Sequence, residues 1–164
     1  MFKRAFDPVV DAQTRLLILG SLPGDASLKA GQYYGHPRNG FWRLLGGVIG
    51  VDLVAVPYAQ RLEALKAAGV GLWDVIASAD RPGSLDAAIR NAEAADLNRL
   101  IDSLPLLRAV AFNGATAARL GRRILSPRSG LDLIDLPSSS PAYTRPLAEK
   151  AAVWALLTPL VRDG

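Results

Sequence analysis

Four short apolar runs divide the chain: Leu16–Ser21, Val70–Val75, Ala109–Asn113 and Leu131–Leu136. Each is mostly continuous rather than alternating, and each stops at a polar or turn-forming residue. That is the pattern of parallel strands buried on both faces. Helical spacing fills the intervals. It predicts helices over Phe41–Ile49, Arg61–Ala68 with a C-cap at Gly69, Leu97–Leu104 with Asp96 as N-cap and Pro105 as terminator, Thr116–Leu125, and Pro146–Val161. Ser78–Ala92 has no clear period and reads as a long loop. Strands alternating with helices imply right-handed crossovers. The expected fold is therefore one α/β domain over residues 1–164, with a four-stranded, mostly parallel sheet between helical layers.

In such sheets ligands bind beyond the carboxyl ends of the strands. Here those ends carry Gly20-Ser21-Leu22-Pro23-Gly24, Trp73-Asp74, Asn113-Gly114 and Pro137-Ser138-Ser139-Ser140-Pro141. Four strand ends thus deliver Gly, Ser, Asn and Asp in place of further aliphatics. The first is followed by Tyr33-Tyr34-Gly35-His36-Pro37-Arg38-Asn39-Gly40-Phe41-Trp42, which holds the chain's single histidine. Aromatic, amide and basic side chains crowded beyond a buried strand suit a ligand site.

Composition narrows the chemistry. The absence of cysteine excludes disulfides, thiol nucleophiles, iron–sulfur clusters and the usual zinc sites. With one histidine, no metal or cofactor is expected. A net charge of +4 and a pI near 9.8 suit a phosphate-rich partner. No apolar stretch reaches membrane-spanning length, and Met1–Asp11 carries charges where a signal peptide would be apolar. The expected compartment is the cytoplasm.

Read from the residues alone, several of these positions keep two roles open. Asn39 precedes a helix, where Asn is a common N-cap. His36 can act as an acid or brace its loop. Tyr34 can stack on a ligand or pack beside Tyr33, while Phe41 and Trp42 belong to a core face. Asp74 can contact a ligand, cap or brace, and Asn113 before Gly114 is also a common turn choice.

Taken in order, Gly20-Ser21-Leu22-Pro23, Tyr33–Trp42, Leu72-Trp73-Asp74, Phe112-Asn113-Gly114 and Leu136–Ala142 resemble the uracil-DNA glycosylase superfamily. The resemblance is strongest to its hypoxanthine-DNA (deoxyinosine) glycosylase branch and extends to the mismatch-specific uracil glycosylases. HPRNGFW is its most specific element. The resemblance implies a monofunctional DNA glycosylase that flips out a deaminated base and hydrolyses its glycosidic bond. Uracil-specific relatives place Asn or Asp at the position of Leu22 to handle water. An aliphatic side chain cannot do this, so the resemblance moves the catalytic role to Asn39. It also implies base contacts from Ser21, Leu22, Tyr34, Asp74 and Asn113. DNA-backbone contacts would come from Pro23, Gly24, His36, Arg38, Ser138, Ser139 and Ser140, with Arg145 flanking the last loop. The uracil-specific types open that last loop with His, where this chain has Leu136-Pro137. Family members often continue with Asn after Ser-Pro-Ala, where this chain has Tyr143.

None of the lysines, Lys3, Lys29, Lys66 and Lys150, lies in a motif, so no Schiff-base lyase step is expected. The remaining arginines, Arg81 among them, read mostly as solvated surface. The expected partner is damaged DNA, bound by a monomer. Alternatives are a uracil or G:U mismatch glycosylase and a DNA-damage-binding protein without catalysis. A nucleotide binder on a similar sheet is disfavoured by the lack of a glycine-rich phosphate loop.

Overall fold

A computed structural model describes residues 2–81 and 84–161. Its strands are β1 (Phe2–Arg4), β2 (Leu16–Gly20), β3 (Val70–Asp74), β4 (Ile76–Asp80), β5 (Arg90–Ala94), β6 (Ala109–Asn113) and β7 (Asp132–Leu136). Its helices are α1 (Asp25–Ala30), α2 (Phe41–Ile49), α3 (Tyr58–Ala67), α4 (Leu97–Asp102), α5 (Ala115–Leu125) and α6 (Leu147–Trp154).

The four apolar runs become a single sheet in the order β3-β2-β6-β7, parallel at every pairing. Strand β2 explains why its run is uninterrupted. Leu16 and Ile18 face a core with Phe41, Leu45, Leu65 and Trp154, so α2, α3 and α6 cover that side. Leu17 and Leu19 face the opposite core with Leu97, Ile101, Phe112 and Leu125, under α4 and α5. Each face of the strand is buried, so neither parity of the sequence can be polar. Strand β7 departs from that pattern because it lies at the edge. Asp132 and Asp135 are exposed there, and Asp135 accepts from Arg122 at 2.9 Å.

The predicted helix boundaries hold where a cap chemistry marks them. Asp96 accepts from the Arg99 N–H at 3.2 Å, and Gly69 takes the left-handed φ of +80° that ends the α3 turn. Two expectations are corrected. Ser78–Ala92 is not one long loop: β4 and β5 form an antiparallel sheet with β1, in the order β1-β4-β5, joined by a 3-10 turn at Asp86–Ala88. Pro82 and Gly83 of that segment lie outside the described residues. The helix expected over Pro146–Val161 is α-helical only to Trp154 and continues as 3-10 helix over Ala155–Leu160, where Pro159 removes a donor. The short helix α1 was not expected. No helix of the described residues is long and apolar enough to cross a membrane.

Helix α5 meets β6 at one glycine. A Cβ on Gly121 would lie 2.3 Å from Phe112 Cε1, and the Phe112 ring is wholly buried. Gly121→Ala is expected to destabilise the fold by about 1–3 kcal/mol through overpacking, measured by urea unfolding. Stability equal to the wild type would contradict this packing.

Candidate active site

The carboxyl ends of β2, β3, β6 and β7 open into one pocket of about 1040 Å³. Its lining brings together Ser21, Leu22, Pro23, Gly24, Tyr34, His36, Asn39, Asp74, Asn113 and Ser138–Ser140. Arg38 is outside that lining and exposed, whereas Arg145 reaches it while paired with Glu149 at 3.2 Å.

Two loops meet here and hold each other through Ser139. The Ser139 N–H donates to Asn113 Oδ1 at 2.9 Å, and its hydroxyl accepts from Asn113 Nδ2 at 2.9 Å. Its carbonyl accepts from the Gly40 N–H at 3.0 Å. Ser139 is buried as a result, and both ends of the Asn113 amide are engaged. Ser138 Oγ accepts from the Ser140 N–H, and Ser140 Oγ accepts from the Ala142 N–H, so these hydroxyls brace their own turns.

Asn39 stands beside that junction, half-buried. Its Oδ1 accepts from the Phe41 N–H at 3.0 Å, satisfying one of the free donors at the start of α2. The bond fixes the plane of the amide and leaves Nδ2 and one Oδ1 lone pair for another partner. His36 braces the same loop: its Nδ1 accepts from the Arg38 N–H at 3.0 Å, and its carbonyl accepts from the Asn39 N–H.

The floor of the pocket is polar and tight. A Cβ on Gly20 would lie 2.7 Å from Asp74 Oδ1 and 2.9 Å from the Tyr34 hydroxyl, so only glycine fits between them. The Tyr34 hydroxyl and Asp74 Oδ2 are buried and have no hydrogen-bond partner. Tyr34 also takes a φ of +53°, unusual for an aromatic residue, and its ring stacks on Phe41 with centroids 3.8 Å apart. One face of Tyr34 is thereby occupied by Phe41 within the core. Burial raises the Tyr34 hydroxyl's pKa, Asp74 adds to the shift, and Asn113 opposes it. Burial likewise raises the Asp74 carboxyl from its ordinary 3.8 to about 7. Arg81 opposes the shift, and Asp86 adds to it.

Three residues outside the sequence motifs belong to this region. Arg81 is buried rather than solvated, and it donates to the carbonyls of Leu22 and Pro23. Asp86 lines the pocket and accepts from the Ser21 hydroxyl at 2.6 Å. Lys150, although outside the motifs, is buried and donates to the Ser140 carbonyl at 3.1 Å. Their partners are backbone oxygens or distant side chains, which leave no local pattern in a sequence.

A family model for the uracil DNA glycosylase superfamily matches residues 8–158. The chain belongs to that superfamily. It is 44% identical over 155 residues to a protein of Methanosarcina barkeri named hypoxanthine DNA glycosylase, spanning 94% of this chain and 97% of the relative. A protein of the same name from Methanosarcina acetivorans is 42% identical over 154 residues, spanning 94% and 96%. A solution NMR structure from Methanosarcina acetivorans, described as a candidate uracil DNA glycosylase, superposes with a TM-score of 0.86. It is 40% identical and covers 96% of this chain and 97% of its own. The superfamily's three-layer fold is thus the fold of this chain, with the pocket at the carboxyl ends of its parallel strands.

The buried carboxyl makes stability depend on pH in a defined direction. Between its unfolded value near 3.8 and its folded value of about 7, Asp74 keeps a proton in the native state that the unfolded chain has lost. Its contribution to stability is therefore fully present at low pH and is lost as pH rises through that window. Asp74→Asn is expected to gain stability relative to the wild type as pH rises from about 4 to 7, followed by thermal unfolding. A difference that does not change with pH would contradict a buried, proton-holding Asp74.

Proposed function

We propose that this chain is a monofunctional DNA glycosylase of base excision repair, acting as a monomer. It extrudes a deaminated base from DNA, hydrolyses its glycosidic bond and leaves an abasic site, with hypoxanthine as the preferred base. The observation that carries the base preference is Asp74 Oδ2, buried without a partner on the pocket floor. Hypoxanthine presents an N1–H donor and an O6 acceptor. A neutral carboxyl can accept from the first and donate to the second, so it meets both. The names of the relatives point to the same base.

In this reading the flipped base enters between the turn at residues 20–24 and the loop at residues 137–142, with the free side of Tyr34 beside it. Extrusion costs a few kcal/mol and least for a mispaired base, which supplies part of the selectivity. As the bond from C1′ to the base nitrogen breaks, its electron pair passes to the base and positive charge grows on the sugar. Asp74 stabilises the first by donating to O6. Asn39 holds the attacking water with the amide groups its cap leaves unused. That water adds to C1′, and its proton is lost to solvent. Leu22, almost fully buried, cannot take over that role. Ser21 and Leu22 flank the base, and Asn113 shapes the pocket through Ser139. Pro23, Gly24, His36, Arg38, Ser138 and Ser140 lie towards the flanking phosphates, with Ser139 tying their loop in place.

Duplexes carrying deoxyinosine, deoxyuridine, deoxyxanthosine or ethenoadenine test this reading, with strand cleavage scored before and after alkali. Hypoxanthine release is expected to be fastest, with cleavage only after alkali. Faster uracil release would make the chain a uracil glycosylase, and no release under single-turnover conditions would make it a damage-binding protein. Across pH, hypoxanthine release should fall above about 7 as Asp74 ionises, and Asp74→Asn should abolish that fall. A wild-type rate that stays level through this range would remove the Asp74–O6 contact.

A further inference from the structure

The small antiparallel sheet sends four links to one five-residue segment, residues 21–25. Lys3 of β1, nearly inaccessible to solvent, pairs with Asp25. Ser84 Oγ, in the β4–β5 connection, accepts from the Asp25 N–H at 2.9 Å. Asp86 accepts from the Ser21 hydroxyl at 2.6 Å. Arg81, directly after β4, supplies the fourth: Nη2 donates to the Leu22 carbonyl at 3.4 Å and to the Pro23 carbonyl, while Nη1 donates to Asp86 Oδ1 at 3.3 Å.

A guanidinium with 1% of its surface exposed is expensive to bury, and an apolar residue would fill the space at lower cost. The reason for a cation lies in what it meets. The carbonyls of Leu22 and Pro23 belong to a turn ahead of α1. Inside the protein they need donors. One planar fork satisfies both and joins them to a carboxylate that also holds Ser21. Of the four links, this is the side chain that engages both the Leu22 and the Pro23 carbonyl.

We propose that Arg81 is a positioning residue of the glycosylase reaction: clamped to Asp86, it holds the Leu22–Pro23 turn at the distance from Asn39 and Asp74 that an extruded base requires. This rests on the glycosylase reading above. The clamp also has an electrostatic signature, because Arg81 and Asp86 act on Asp74 with opposite sign, while Asp74 in turn acts on the Tyr33 and Tyr34 hydroxyls that face it.

The test compares Arg81→Met, Arg81→Lys and Asp86→Ala with the wild type, in single-turnover release of hypoxanthine from about pH 5 to 9, with binding to undamaged duplex in parallel. Asp86 is exposed, so its variant remains informative should Arg81→Met not fold. Arg81→Met is expected to lose about a hundredfold in rate with undamaged-duplex binding retained, the cost of a misplaced pocket wall, and Asp86→Ala about tenfold. Arg81→Lys should recover part of the rate, since an ammonium keeps the charge without the fork. The alkaline limb of the rate should move up in pH in Arg81→Met and down in Asp86→Ala. Wild-type rates in both variants would overturn the proposal, as would losses in both with the limb unmoved, which would make Arg81 a scaffold residue only. A wild-type protein that releases no hypoxanthine would reject the glycosylase reading instead. The amide chemical shifts of residues 21–25 would then decide on the clamp, and shifts unchanged in Asp86→Ala would overturn it.

Discussion

Ser139 uses its amide, hydroxyl and carbonyl to fasten the β6 end to the loop that precedes α2. The arrangement of the pocket depends on that junction. The loop before α2 is anchored in the core by Tyr33, but the stretches that meet at Ser139 contain Pro, Ser, Gly, Arg and Asn. At that junction buried hydrogen bonds do the work that packing does elsewhere in the sheet. Each contributes about 1 kcal/mol when made, but leaving one partner unsatisfied costs about 1–3 kcal/mol. The bonds here share atoms, so loosening one exposes its neighbours. Asn39 lies one residue from Gly40, the donor in one of them, and its side-chain Oδ1 accepts from the Phe41 N–H at the start of α2. Position at the site is thus inherited from a closed network rather than from any single strong contact.

Against that rigid side stands a floor with polar atoms left over. Asp74 Oδ2 and the Tyr34 hydroxyl have no partner, and Gly20 leaves no room for a side chain between the two residues. Unpaired buried polar atoms are destabilising, and native folds keep few of them. Their concentration on the floor of the pocket at the strand ends, beside a tyrosine with a left-handed backbone, marks the place where a ligand's own polar edge would complete the pairing. A fold that spends stability in this way gains a surface already shaped for a base.

The parallel sheet was legible because burial on both faces forces continuous apolar runs, as in Leu16–Leu17–Ile18–Leu19. The helices were legible where Asp96, Gly69 and Pro105 mark an end. The second sheet was not. Strand β5 is exposed along its whole length, and its pairing with β4 carries register shifts, so no alternation survives in Arg90–Ala94. The motif residues were placed at the strand ends correctly as a group. Their individual partners were hidden, because Asn113, Ser139 and Gly40 come from separate stretches of the chain. Arg81 was hidden for the same reason, its burial being decided by two carbonyls some sixty residues away. Asn39 had been left between a cap and a catalytic group. The structure makes Gly40 the N-cap of α2 and places Asn39 one residue ahead of it, with Oδ1 accepting from the Phe41 N–H.

The central claim is that this one amide serves both the helix and the reaction, and Asn39→Asp separates the two. Asp caps helices about as well as Asn, so Asn39→Asp should unfold within about 0.5 kcal/mol of the wild type, while Asn39→Ala should lose about 1 kcal/mol. Single-turnover release of hypoxanthine, measured well below both melting transitions, should fall by about a hundredfold or more in Asn39→Ala. It should also fall in Asn39→Asp, which keeps the acceptor and loses the Nδ2 donor. Wild-type rates in both variants would contradict the account and leave Asn39 as a helix cap alone.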